Sequence, residues 1–212
     1  MSKITVILGT AHLRTTPGKR SVDGRLREYA YSREIVSLVE MELKKRGCDV
    51  VVDYRPTEPD KLMAGSSTKV VQNRELRYRV GKVNELCRKL GVGNCIYVSV
   101  HVNAAGGGKK WNKASGFSVF VSLNASESSK CLARSFTSLA LERSLCGNRS
   151  IPKAKYWSKN LFVLRETLCP SVLTENLFQD NKADVDFLLS DEGREAIVRL
   201  HVDAIEEYIK GR

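Results

Sequence analysis

"YVSVHVNAAGGG", residues 97–108, decides how the chain is read. Valines alternate with Tyr97, Ser99 and His101, and the apolar run starts earlier, at "CIYVSVHV" (95–102). Such a run, rich in β-branched residues and closed by a glycine-rich stretch, is a strand buried on both faces. Buried strands of this kind belong to parallel sheets covered by helices. His101 stands at the strand's carboxyl end, Asn103 two residues on, and the small-residue loop follows. In open α/β sheets that end of a strand is where ligands bind.

The rest of the chain extends the pattern. "ITVILG" (4–9) is a second buried strand, followed by a polar stretch over 10–27 with a Pro17-Gly18 turn. From 28 to 46, Tyr31, Ile35, Leu38, Val39 and Leu43 recur at helical spacing, and Gly47 supplies the stop. "DVVVDYR" (49–55) predicts a strand, then a polar loop and a helix over 73–90. Strands are predicted at 116–123, 160–166 and 171–177. A serine-capped helix covers 126–145, and an amphipathic helix over 193–209 closes the chain. Strands alternating with helices predict an α/β fold: a mainly parallel twisted sheet flanked by helices, in one domain over 1–212. No repeat, low-complexity segment or linker marks a separate wall-binding or other domain.

Composition narrows the function. The 212 residues suffice for one full core. Apolar residues at 42% and charged residues at 28% fit a globular chain rather than a disordered one. No apolar run reaches the roughly 18–20 residues of a membrane helix, so no transmembrane segment is expected. The amino terminus lacks the long apolar core and cleavage site of a signal peptide. The expected location is the cytoplasm until release, or the secreted or periplasmic space if a leader has been trimmed. Thirty-five basic against 24 acidic side chains give a net charge of +11, which favours a polyanionic partner. The densest basic stretch is "GKKWNK" (108–113), beside the His101 loop. The six cysteines form no CxxC pair and sit mostly in apolar stretches, which argues against a thiolate zinc knuckle and for a reducing compartment.

Only three histidines occur: His12, His101 and His201. His201 lies within the last amphipathic helix and reads as a packing residue. His12 and His101 both follow strand ends. Two imidazoles and one carboxylate make a common catalytic zinc set, with a position left open for water. The local candidates for the carboxylate are Glu28 and Glu34 on the first helix. Glu175, inside the apolar "PSVLTENLF", needs a partner or a task. It is either a general base toward activated water or the partner of a basic neighbour such as Arg165.

Taken together these segments resemble the type 3 family of zinc-dependent N-acetylmuramoyl-L-alanine amidases, which includes cell-separation amidases, sporulation lysins and phage endolysins. "ILGTAHLRTTPGK" is similar to the family's opening strand and "DPGHGGxDPGA" loop. "EYAYSREIVSLVEMELKKRGCDVVVDYR" resembles its glutamate-led helix and next strand. "YVSVHVNAA" resembles "xSIHANA", and "LFVLRETLCPSVLTENLFQDNKADVDFL" resembles "LxVLRxTxxPAVLVExGFLSNxxD". The four motifs run in order over nearly the whole chain, with "GTAH" in place of "DPGH" and "TEN" in place of "VExG".

The resemblance implies zinc ligands at His12, Glu28 and His101, with Glu28 chosen over Glu34, and a catalytic glutamate at Glu175. It implies cleft positions for Arg165 and Asn103, as substrate-binding or oxyanion-stabilising groups, and a structural turn at Asn181 and Asp184. The implied cofactor is Zn2+, and the implied substrate is peptidoglycan, cut between N-acetylmuramic acid and L-alanine. The rival within hydrolases is a zinc peptidase cutting inside the stem peptide. A nucleic-acid-binding module is the other rival, but no RNP, KH, zinc-finger or helix-turn-helix signature accompanies the charge, so nucleic acid is not the expected partner. No segment points to a regulatory partner.

Overall fold

The computed structural model describes residues 4–54 and 67–212. Six strands form one sheet: β1 (Thr5–Thr10), β2 (Asp49–Val52), β3 (Cys95–Asn103), β4 (Ser118–Val121), β5 (Trp157–Ser158) and β6 (Ser171–Phe178), in the order β2-β1-β3-β6-β4-β5. All neighbours pair in parallel except β4 and β6, which run antiparallel. This is the single-domain, mainly parallel α/β architecture expected from the alternating elements. The helices are α1 (Glu28–Lys45), α2 (Thr68–Leu90), α3 (Glu127–Glu142), α4 (Phe162–Arg165), α5 (Lys182–Leu188) and α6 (Asp191–Lys210).

The two faces of the sheet differ. Val6, Leu8, Ile96, Val98, Val100, Val102 and Val172 point to the face covered by α1, α3 and α6, where the larger core lies. Ile7, Cys95, Tyr97 and Leu173 point to the other face, where α2 and α4 pack with Val80, Val83, Cys87, Val163 and Leu164. The second cover is smaller. The carboxyl ends of β1, β3 and β6 emerge on that face beside a hollow of about 300 Å3.

Several boundaries differ from the sequence expectations. Residues 160–166 are not a strand. Arg165 N–H donates to Leu161 O at 2.9 Å and Glu166 N–H to Phe162 O at 3.0 Å, so the run closes as one helical turn, α4. A short apolar run carries no periodicity to separate the two readings, and packing of Val163 and Leu164 against α2 and β6 decides it. Asn181 and Asp184 are not in a plain loop either. Asn181 caps α5 by accepting from Asp184 N–H at 3.1 Å, and Asp184 accepts from Ser115 Oγ, Gly116 N–H and Phe178 N–H. They remain structural. Strand β5 was not foreseen, β4 is shorter than 116–123, and α2 begins at Thr68 rather than 73. The end of the predicted strand at Arg55 and the loop over 56–66 lie outside the described residues.

A buried polar network sets the end of β1. Arg79 of α2 donates to Asp53 Oδ1 at 2.9 Å, Glu75 Oε1 at 3.0 Å, Thr10 Oγ1 at 2.8 Å and His12 O at 3.3 Å. Asp53 also accepts from Thr10 N–H at 3.0 Å and, through Oδ2, from Tyr97 O–H at 3.0 Å. Burial opposes the guanidinium charge, but Asp53 and Glu75 outweigh it and hold the Arg79 pKa above its ordinary value. Tyr97 reaches Asp53 only because residue 9 is glycine: a Cβ there would lie 2.3 Å from the Tyr97 hydroxyl oxygen.

His201 is a packing residue, as expected. It is fully buried, with Nδ1 2.8 Å from Ile197 O and Nε2 2.9 Å from Thr174 Oγ1. Burial pulls its pKa down from 6.5 to about 4. The six cysteines are free thiols.

Two outcomes follow for stability. Arg79→Ala leaves Asp53 and Glu75 buried without their cation and should cost about 3–5 kcal/mol in urea unfolding; a loss below about 1 kcal/mol would show that the network does not hold β1. For His201, the unfolded chain binds the proton first. Its contribution is therefore complete above pH 6.5 and is lost as the pH falls toward about 4. Across that window the native protein should lose roughly 3 kcal/mol more than His201→Gln; parallel pH profiles of unfolding free energy would contradict the assignment.

Candidate metal centre and active site

The parallel register brings the separate sequence candidates to one place. Thr10 at the end of β1 pairs with Val100, and His101 pairs with Glu175 across β3 and β6. His12, two residues past β1, therefore stands beside His101, with ring centroids 5.1 Å apart and planes nearly perpendicular. Glu28 opens α1 beneath them. Its Oε1 lies 3.0 Å from His101 Nδ1 and its Oε2 3.4 Å from His12 Nε2. Donor atoms of His12, Glu28 and His101 all fall within 4.8 Å of one another.

Each of the three is held by its element. His12 has a φ of 48°, a left-handed conformation costing about 1–3 kcal/mol for a residue other than glycine. It is clamped on both sides: Ala11 N–H donates to Ser32 Oγ at 2.8 Å, and Arg79 donates to His12 O. Ser32 passes its own hydrogen to Val100 O at 2.6 Å, which ties α1 to β3. Glu28 N–H donates to Lys19 O, and Val102 N–H donates to Glu28 Oε1 at 3.2 Å. The α1 amino terminus has no side-chain cap, whereas Ser67, Ser126 and Ser190 cap α2, α3 and α6. Its first acid is turned into the centre instead.

Glu28 is 1% exposed. Burial works against its charge, but the neighbouring His101 and His12 imidazoles prevail and hold its carboxyl well below the usual range. Burial lowers the His101 pKa, with Glu28 opposing, so a neutral imidazole is favoured. Neutral imidazole is the form that ligates metals. His12 Nε2 and Glu28 Oε2 are buried with no hydrogen-bond partner among the described residues. Buried polar atoms left so are rare unless something else satisfies them. Two imidazoles and a carboxylate around these atoms fit a zinc ion. Glu34, the other carboxylate considered, points away and pairs with Arg194 at 2.8 Å.

Glu175 faces the same hollow. Its Oε2 is buried and without a hydrogen-bond partner among the described residues. Burial first, and then the Glu28 charge, push its pKa up to about 8, against the pull of Lys19, Lys159 and Arg149. It is not the partner of Arg165. That guanidinium lies on α4, bonded to Asn160 Oδ1 at 2.5 Å and Glu166 Oε1 at 2.8 Å, and is not among the residues lining the hollow. Asn103 does line it, with its Oδ1 turned back to Ala104 N–H.

The glycine loop after β3 is anchored rather than loose. Ala105 N–H, Gly106 N–H and the Asn112 amide all donate to the buried Asp180 carboxylate at 2.8–3.0 Å. Three charged groups near the centre escaped the sequence reading: Lys19, Arg79 and Asp53. An acid ending the apolar "VVVDY" gave the same signal as Glu175 and could have marked Asp53. Arg79, on an ordinary charged helix, carried none.

Comparison with known proteins agrees with this fold. A Bacillus phage SPP1 endolysin is 30% identical over 122 residues, which cover 54% of this chain and 40% of that protein. The chain thus spans well under two thirds of that relative's length. Among solved structures, the CwlD amidase of Clostridioides difficile in complex with the GerS lipoprotein superposes with a TM-score of 0.78 at 19% identity, over 99% of this chain and 100% of that one. An N-acetylmuramoyl-L-alanine amidase from Clostridium difficile 630 gives 0.77 at 20% identity, over the whole of both chains. The Amidase_3 family, described as N-acetylmuramoyl-L-alanine amidase, matches residues 6–207, nearly the full described fold. The chain belongs to the Amidase_3 family, the N-acetylmuramoyl-L-alanine amidases.

Proposed function

We propose that this protein is a zinc-dependent amidase that cuts peptidoglycan between the lactyl group of N-acetylmuramic acid and the L-alanine of the stem peptide. One observation carries the reading. His12, Glu28 and His101 gather within 4.8 Å with two donor atoms left without hydrogen-bond partners, and Glu175 is paired with His101 on the neighbouring strand. Family membership supports it, and the likeness to a phage endolysin supports a lysin that reaches the wall from inside the cell.

His12, Glu28 and His101 would hold the ion. When bound, zinc supplies a Lewis acid for the amide carbonyl, acidifies water and, by its charge, favours the ionised form of Glu175. Glu175 then takes a proton from the attacking water on its free Oε2. It returns that proton to the amide nitrogen as the C–N bond breaks, so the alanine leaves as a neutral amine. Asn103 at the rim orients the substrate through its amide. Arg79 keeps His12 in place through the backbone carbonyl and stays out of the chemistry.

The direct test is mass spectrometry of soluble fragments from purified peptidoglycan, with and without a chelator. Intact glycan and peptides beginning with L-alanine are expected, and chelation should abolish both. Cuts within the stem peptide would instead identify a peptidase.

Metal analysis addresses the ligands. His101→Ala should lose zinc, and Glu28→Ala should lose both zinc and activity while Glu34→Ala keeps them. Full zinc occupancy in His101→Ala would reject the assignment. For the base, Glu175→Gln should keep the fold and the metal and lower turnover about 10²–10⁴-fold. A folded, zinc-loaded Glu175→Gln with near-normal turnover would remove Glu175 from the reaction.

A further inference from the structure

A second hollow, of about 440 Å3, shares Lys19 with the first. The loop between β1 and α1 forms most of it, and Gly107, Gly108 and Lys109 of the loop after β3 close it. Five cations line it: Arg14, Lys19, Arg20, Arg27 and Lys109. No acidic side chain does, among the described residues.

The charge here is not neutralised locally. Elsewhere on the surface many cations have acids beside them, as at Lys44, Arg46, Arg143 and Lys182. Arg25, in the same loop, pairs with Asp23 at 2.7 Å and Asp186 at 2.6 Å. Arg14, Arg20, Arg27 and Lys109 have no ion pair among the described residues, although 24 acids are available in the chain. Arg20 and Arg27 moreover sit directly opposite each other in an antiparallel bridge. Like charges in that position destabilise the pairing. An anion between them would relieve the repulsion.

Lys19 shows which anion. It lines both hollows, and its Nζ is 3.7 Å from Glu28 Oε2. Lys19 thus links the basic hollow to the centre at which the scissile amide must lie. Of the two groups joined by that amide, the sugar side is neutral and the stem peptide carries free carboxylates beyond its alanine. An extended peptide advances about 3.3–3.6 Å per residue, so a stem peptide running past Lys19 would carry its second and third residues toward the basic hollow. The apolar wall of the first hollow, Phe120, Leu161 and Phe162, is left to the glycan side.

We propose that the hollow lined by Arg14, Lys19, Arg20, Arg27 and Lys109 is a subsite for the free carboxylates of the stem peptide, which fixes the direction in which the substrate lies. The proposal rests on the amidase reading. It makes carboxylate amidation a determinant of substrate preference.

The test compares two soluble muramyl peptides, one with free stem carboxylates and one with the same groups amidated. The zinc-loaded wild type is set against the double variant Arg20→Gln/Arg27→Gln, with Arg199→Gln on α6 as the control. The native enzyme should show the lower KM for the free-carboxylate form. The double variant should raise that KM about fivefold or more, leave kcat unchanged and leave the amidated form unaffected. Calorimetry with the free L-alanyl-D-glutamyl stem peptide reads binding without turnover, and its affinity should fall in the double variant by a similar factor. Equal KM for both forms in the native enzyme, or an equal rise on both in the variant, overturns the subsite. So does variant-sensitive binding of a soluble phosphodiester wall polymer without discrimination between the peptides, which would assign the hollow to that polymer. Failure of the amidase reading looks different: neither peptide is cut at the sugar–alanine bond, while calorimetric peptide binding that the variant loses still supports the basic subsite.

Discussion

A carboxylate cannot be removed from water without partners, and the centre of this protein is arranged around one that has been. Glu28 begins α1, yet its side chain is turned under the sheet edge rather than into solvent. It meets His101, His12 and the Val102 N–H, and its own N–H is fixed to the loop that carries Lys19. Helix α1 therefore enters at one place and one angle. The loop from β1, the strand β3 and the helix are locked to each other by a single buried charge.

The supporting shell repeats that logic with charges of both signs. Arg79 gathers Asp53, Glu75, Thr10 and the His12 carbonyl, and Tyr97 reaches the same Asp53 over Gly9. Satisfied networks of this kind rigidify what they touch, because each member left unpaired is costly. Here they hold His12 in a conformation that the backbone alone disfavours. The strain and the network lie on adjacent residues, as expected where geometry at a site outweighs local preference.

Electrostatics divide the surroundings of the centre in two. On the side of β6 lies the hollow with His12, His101 and Glu175, whose carboxyl is pushed toward its protonated form by burial and the Glu28 charge. On the side of the β1–α1 loop the field concentrates unpaired positive charge. Lys19 belongs to both. A substrate polar in one half and neutral in the other would be oriented by this division before any specific contact formed.

Much of this was legible in the sequence. The apolar runs at 4–9, 95–102 and 171–177 marked the parallel core, and the alternation with helices at 28–46, 126–145 and 193–209 gave the fold class, because strand burial and helical periodicity are local and repeat along the chain. Strand-end positions picked out His12 and His101, and an acid in an apolar strand picked out Glu175. The choice of Glu28 over Glu34 came from resemblance to a family; in space the two carboxylates part, one beneath the histidines and the other at Arg194. Other features had no local signature. Segment 160–166 became a helical turn through packing on α2 and β6. Arg79 and Asp53 matter only through partners tens of residues away, and Lys19 only through Glu28 across the turn of a loop. The five-cation hollow joins residues 14–27 to residue 109 by folding alone. Chain-local pattern determined which elements form; long-range charge pairing and register decided which side chains meet, because those energies exist only once distant segments share a place.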